Sequence, residues 1–220
     1  MMMSDDVLYK KSSIGRLEEL KNLAPESYEA YLNVNNKALA SETLTAKQKE
    51  LIAVAVAHTT GCAYCIELHI ANVKEQEASK EEVTEAIMVA TTLKAGAALA
   101  HSVNSLNAYD EKGQDELYKG AYFERLREFA DINGESVQAF MAFDKQVMDE
   151  GRLTVKEKEL VAVAVAHTTG CAYCIHVHTK GAKKAGASFK EISEAIMVAT
   201  TLNAGSALAH GINALNAYDR

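Results

Sequence analysis

The apolar and polar positions of this chain read as a succession of helices, about six in each half of a sequence that repeats itself. The first runs from about Ser13 to Leu23. The second follows Pro25, a residue suited to an early helical position, and runs to about Ala40. The third opens at Thr45, where Thr-x-x-Gln48 forms a capping box; Thr154-x-x-Glu157 repeats it. The fourth begins at a pair of cysteines. The fifth begins near Ser79, again with a capping glutamate, Glu82, three residues on. The sixth is GAALAHSVNSLNAY, after Gly96. One block, LIAVAVA at 51–57, alternates as a strand would. No glycine or proline interrupts Thr45–Ala57, so a helix begun at the cap has no reason to stop. A lone strand would also leave its backbone groups unpaired. The expected fold class is all-α.

The repeat is explicit. Leu51–His69 laid on Leu160–His178 gives sixteen identities in nineteen positions, and Glu85–Asp110 laid on Glu194–Asp219 gives twenty-one in twenty-six. Both use an offset of 109 residues. That period is too long for a solenoid and marks a duplicated domain. We divide the chain into a first repeat at 1–110, a short connection at 111–122 and a second repeat at 123–220. The connection is not a Gly/Ser/Pro linker, so the halves are expected to pack together.

Composition narrows the function classes. Of 220 residues, 48% are hydrophobic and 24% charged, with one proline and no tryptophan, which suits a helical globular chain. The formal charge of -7 argues against nucleic acid or an anionic membrane as main partner. MMMSDDVLYKKSS lacks the apolar core of an export signal, and LIAVAVA is too short to cross a bilayer. A cytoplasmic protein is expected, and there Cys-x-x-Cys pairs point to redox or metal chemistry.

The candidate chemistry lies in HTTGCAYCIELH (58–69) and HTTGCAYCIHVH (167–178). Gly61 can end the third helix, which puts Cys62 at the start of the next and Cys65 in its first turn. Amide groups and the helix dipole favour a negative sulfur there, and thiolate is the reactive form. His69 lies one turn beyond Cys65 on the same face, placed to take or share its proton. Cys62 is near enough to close a disulfide. Cys171, Cys174 and His178 repeat the set. If the chain reverses at Gly61, His69 sits about 10 Å down the second helix, within a turn or two of Glu50. A carboxylate there can orient the imidazole, and Glu159 repeats the position; the alternative for each is a solvated helix-start charge.

Glu50-x11-Cys62-x-x-Cys65-x3-His69 and Glu159-x11-Cys171-x-x-Cys174-x3-His178 resemble the signature of the alkylhydroperoxidase D-like group of the carboxymuconolactone decarboxylase superfamily. The following EAIMVATTLKAGAALAH and its second copy are similar to that group too. The resemblance implies two tandem alkylhydroperoxidase D-like helical domains. It implies reduction of peroxides or small disulfides at the expense of an external dithiol, lipoyl- or thioredoxin-like, with no bound cofactor. It implies that the second cysteine of each pair attacks, aided by Glu and His, and the first resolves the product. Cys62 and Cys171 are also expected to exchange with the reductant. It implies trimers or hexamers of single domains, hence a homotrimer of this fused chain. The type member carries a histidine inside the cysteine pair. Ala63-Tyr64 and Ala172-Tyr173 stand here instead, which keeps disulfide reduction open beside peroxide reduction.

Other readings compete. Zinc could take Cys62, Cys65 and His69, with His58 or Glu50 as fourth ligand. A lactone decarboxylase would need no cysteine pair. Tyr64 and Tyr173 either fill the core or donate to a sulfur or peroxide oxygen. His58 and His167 either bond the backbone or join the thiol site. His101, His210, Met88 and Met197 read as packing. His176 has no counterpart, since Glu67 takes its place. Gly186 suits a helix end; Glu77, at the same place in the first half, does not.

Overall fold

The computed structural model describes residues 7–111 and 116–219; positions 112–115 of the expected connection, and the first six residues, lie outside the described residues. Ordered structure among them is helical throughout, and the capping signals mark where it starts. The first half contributes α1 (Leu17–Leu23), α2 (Pro25–Leu39), α3 (Ala46–Thr60), α4 (Ala63–Glu75) and α5 (Lys80–Tyr109). The second repeats them as α6 (Leu126–Ile132), α7 (Gly134–Met148), α8 (Val155–Thr169), α9 (Ala172–Lys184) and α10 (Phe189–Tyr218). A 3₁₀ turn leads into α1 and another into α6. Capping boxes close at Thr45–Gln48, Ser79–Glu82, Thr154–Glu157 and Ser188–Glu191.

LIAVAVA is the middle of α3, and every residue from Lys49 to Ala57 is buried. A helix enclosed on all sides has no polar face to betray its 3.6-residue period. Its alternation is one of bulk, valine against alanine, which lets neighbouring helices approach closely. α3 and α8 lie side by side at the centre, with α5 and α10 packed across them. Gln48 Nε2 donates to Glu157 Oε1 at 3.1 Å. These positions are equivalent at the 109-residue offset, so an approximate two-fold axis passes between the central helices.

The expected break at Gly96 does not occur. α5 runs through it for 30 residues, as α10 runs through Gly205, so among the described residues each half has five α-helices and not six. A mid-helix glycine costs roughly 1 kcal/mol against alanine, and packing explains its presence. A Cβ on Gly96 would stand 3.3 Å from Phe140 Cζ of α7, and one on Gly205 would overlap the Tyr31 hydroxyl of α2. Both contacts cross between the halves. α1 and α2 pack on α10, while α6 and α7 pack on α5, so each half lends its first helices to the long helix of the other. By length and composition alone α5 and α10 could span a membrane, but 44% of each apolar window is buried inside this bundle.

Two ion pairs, one buried and one partly buried, cross between the halves. Lys49 Nζ lies 3.0 Å from Glu194 Oε2, and Lys158 Nζ lies 3.2 Å from Glu85 Oε2. Glu194 also accepts the Thr43 and Leu44 amides, as Glu85 accepts those of Arg152 and Leu153. Burial works against the Glu194 charge, yet the Leu44 amide, the Lys49 ammonium and the Thr43 contacts bring its pKa down to about 2. Glu85 is likewise lowered: burial opposes its charge, and the two amides and Lys158 outweigh it.

Candidate active site

Each cysteine pair sits where two helices meet head to tail. Gly61 ends α3 in the left-handed region at φ 71°, a conformation that costs a side chain dearly, and Gly170 does the same after α8 at 69°. Cys62 is then the N-cap of α4, and its Sγ accepts the Cys65 amide at 3.2 Å. Cys171 caps α9 in the same way. Cys62 is disulfide-bonded to Cys65 and Cys171 to Cys174, with Cα atoms 5.3 and 5.2 Å apart.

The turn at Gly61 folds α4 back along α3 and brings the sequence candidates together. His69 Nδ1 donates to Glu50 Oε2 at 2.8 Å, and His178 Nδ1 to Glu159 Oε2 at 2.9 Å. Glu50 and His69 are buried, so Glu50 is not a solvated helix-start charge. The carboxylate fixes the proton on Nδ1 and leaves Nε2 as the ring nitrogen open to chemistry.

A cavity of about 230 Å³ opens beside each pair. Cys65 and His69 line the first, and Cys174 and His178 the second. Cys62 and Cys171 are fully buried. Of each pair, it is Cys65 and Cys174, not the capping cysteines expected to exchange with the reductant, that line a cavity. Each cavity is walled by both halves. α2 supplies Tyr31 and Asn35 to the first, opposite Leu202 and Gly205 of α10. α7 supplies Phe140 and Asp144 to the second, opposite Leu93 and Gly96 of α5.

Sequence reasoning passed over Asn72, whose Nδ2 donates to Glu50 Oε1 at 3.3 Å. Gly181 stands at the equivalent place, and the Glu159 carboxyl fills the space its side chain would need, within 2.5 Å of a Cβ. A position-by-position comparison of the two repeats contained that signal.

The other candidates resolve simply. His58 and His167 bond the Val54 and Val163 carbonyl oxygens through Nδ1, each at 2.8 Å. Tyr64 packs on Tyr9, and Tyr173 on Tyr118 and Phe123. Their buried hydroxyls have no protein partner among the described residues, so neither donates to a sulfur; burial, with Tyr118 and Tyr122 adding, pushes the Tyr173 phenol up. His101 meets the Tyr118 ring edge-on. His176 is exposed, as is Glu67, which pairs with Lys11. Among the described residues no three His, Cys, Asp or Glu side chains are grouped to hold a metal.

The sequence profile of the carboxymuconolactone decarboxylase family matches this chain twice, at residues 25–108 and 134–217. The chain belongs to the carboxymuconolactone decarboxylase family. Its relatives are shorter. It is 48% identical over 81 residues to an uncharacterised protein of the cox locus of Paracoccus denitrificans, a match spanning 37% of this chain and 73% of that one. An uncharacterised Haemophilus influenzae protein is 43% identical over 99 residues, covering 45% of this chain and 85% of that one. A crystal structure assigned as a candidate gamma-carboxymuconolactone decarboxylase subunit from Burkholderia xenovorans superposes with a TM-score of 0.70. It covers 96% of this chain and 98% of its own at 20% identity, a likeness of fold alone.

Proposed function

We propose that this family member is a dithiol oxidoreductase that reduces peroxides or small disulfides. The observation that carries the reading is the same in both halves. A cysteine lines a cavity, its partner caps the helix within disulfide reach, and a Glu–His pair, buried in the first half and partly buried in the second, stands one turn away.

In the reduced state the Cys65 thiolate attacks the distal peroxide oxygen; the O–O bond breaks and the alcohol leaves with a proton relayed through His69. The Cys65 sulfenic acid is then displaced by Cys62, releasing water and closing the disulfide. An external dithiol attacks the Cys65 sulfur that the cavity exposes, and Cys62 leaves as a thiolate stabilised by the Cys65 amide. The second external thiol resolves the mixed disulfide, restores Cys65 and departs as a disulfide. Cys174, Cys171, His178 and Glu159 act alike. The cycle requires a reducing compartment, so we place the protein in the cytoplasm, as a trimer presenting six domains; light scattering that gives a monomer would reject the assembly.

The test is thiol titration of the reduced protein before and after hydrogen peroxide or a small disulfide. Loss of all four thiols, restored by a dithiol, is expected. The double variant Cys65→Ser with Cys174→Ser should keep its two remaining thiols. A wild-type protein whose thiols survive both oxidants overturns the proposal. A lactone decarboxylase activity, the reading that the Burkholderia name carries, would persist in the same double variant.

A further inference from the structure

We infer that the two cavities have diverged in charge selectivity: the second discriminates against anionic substrates, and the first accepts them. This rests on the dithiol reading above. The reacting groups are alike at both sites, so the difference lies in the walls. Thr92, fully buried on α5, donates through Oγ1 to Asp144 Oδ1 at 2.8 Å and holds that carboxylate in the wall of the second cavity. Among the described residues no lysine or arginine lines that cavity to offset it. Phe140, Leu93 and Met141 supply apolar surface around it.

At the equivalent places Asn35 and Tyr31 line the first cavity, with the buried Thr201 against Asn35. Thr201 Oγ1 donates to Asn35 Oδ1 at 3.1 Å, and the Tyr31 hydroxyl reaches the same oxygen at 3.5 Å. With its oxygen engaged, the Asn35 amide offers its Nδ2 hydrogens to a bound acceptor. Among the described residues no carboxylate lines this cavity. Glu67, which replaces His176, is exposed and pairs with Lys11.

Three small disulfides of similar length test the inference: 3,3′-dithiodipropionate, an anion; 2-hydroxyethyl disulfide, neutral; and cystamine, a cation. Pre-reduced protein supplies both electrons. The cavity thiolate opens the S–S bond to a mixed disulfide and one free thiol, and the capping cysteine releases the second. Site 1 is isolated by Cys171→Ser with Cys174→Ser, and site 2 by Cys62→Ser with Cys65→Ser. The rate of protein-thiol loss is followed by quenching with an alkylating reagent and mass measurement.

The anion-to-cation rate ratio is expected to be about tenfold higher at site 1 than at site 2, the scale of one partly screened charge several ångströms away. Asp144→Asn should raise the ratio at site 2, and Asn35→Asp should lower it at site 1. The wild-type walls already give a complete comparison if either wall variant fails to fold. Equal ratios at both sites overturn the inference and leave the dithiol reading standing. No reaction with any of the three probes at either site overturns the inference, and failure of hydrogen peroxide as well overturns the dithiol reading too.

Discussion

Glu194→Gln tests how the two halves are held together. In the native fold the carboxylate accepts two amides and faces the Lys49 ammonium, with the Glu194 and Lys49 side chains only 6% and 2% exposed. Glutamine keeps the volume but has one acceptor oxygen. Its amide hydrogens would then meet either a backbone N–H or the ammonium, donor against donor. Lys49 would keep the Ala40 carbonyl oxygen, 2.6 Å from Nζ, but lose its counter-charge. Breaking a buried pair in this way costs about 3–5 kcal/mol. The same contacts, expressed through the carboxyl's lowered pKa, give a similar figure. Lowering a carboxyl from an ordinary 4.5 to about 2 corresponds to roughly 3 kcal/mol of folding free energy. Glu85→Gln should cost less, about 1–2 kcal/mol, because its side chain is 25% exposed and water can replace part of what is lost.

The sign of the pH effect follows. A carboxylate whose folded pKa is depressed stabilises the fold above its unfolded value and loses that contribution as pH falls towards the folded value. Wild type and Glu194→Gln should therefore differ fully above about pH 4.5 and converge as pH approaches 2. Urea unfolding followed by far-UV circular dichroism, with disulfides intact, measures both. A difference under about 1 kcal/mol at neutral pH, or one that does not shrink in acid, refutes the account. There is a functional corollary. Glu194 anchors α10, which walls the first cavity, so thiol reactivity should fall more at Cys65 than at Cys174.

Glu50→Gln should slow oxidation of Cys65 by about 10²–10³-fold, since the amide can present N–H to His69 Nδ1 and force the wrong tautomer; Glu159→Gln should do the same at Cys174, and stopped-flow rates on single-site proteins report it. Gly181→Asn should displace the Glu159 carboxyl and give it the donor that Asn72 gives Glu50, narrowing a two- to fivefold rate advantage expected at Cys65, roughly one modest hydrogen bond's worth; peptide-resolved alkylation of the reduced protein checks this. Glu77 takes a left-handed φ of 57° where Gly186 takes 88°, so the structure accepts at Glu77 the conformation that the sequence offered only at Gly186. Glu77→Gly should stabilise by roughly 0.5–1 kcal/mol, and Gly186→Ala should destabilise by about as much, both read from thermal unfolding.

What the sequence disclosed was whatever is decided locally. Thr45 and Ser79 cap their helices through residues three positions away, Gly61 turns the chain on its own φ, and Cys62, Cys65 and His69 share one stretch of helix. Glu50 was reachable because a single turn separates its helix from α4. What stayed hidden is decided across the repeat. Tyr31 packs on Gly205, but Gly96 carries the same neighbours in sequence and Phe140 stands where Tyr31 does, so the pattern admits pairing within a half as readily as between halves. Duplication erases the information that would choose, and only the folded chain, with α2 on α10 and α7 on α5, supplies it. The consequence bears on function. Each cavity takes its cysteine and histidine from one half and its long-helix wall from the other. A change such as Gly96→Ala, which would press on Phe140, therefore acts on Cys174 in the far half of the sequence and leaves the nearer Cys65 alone.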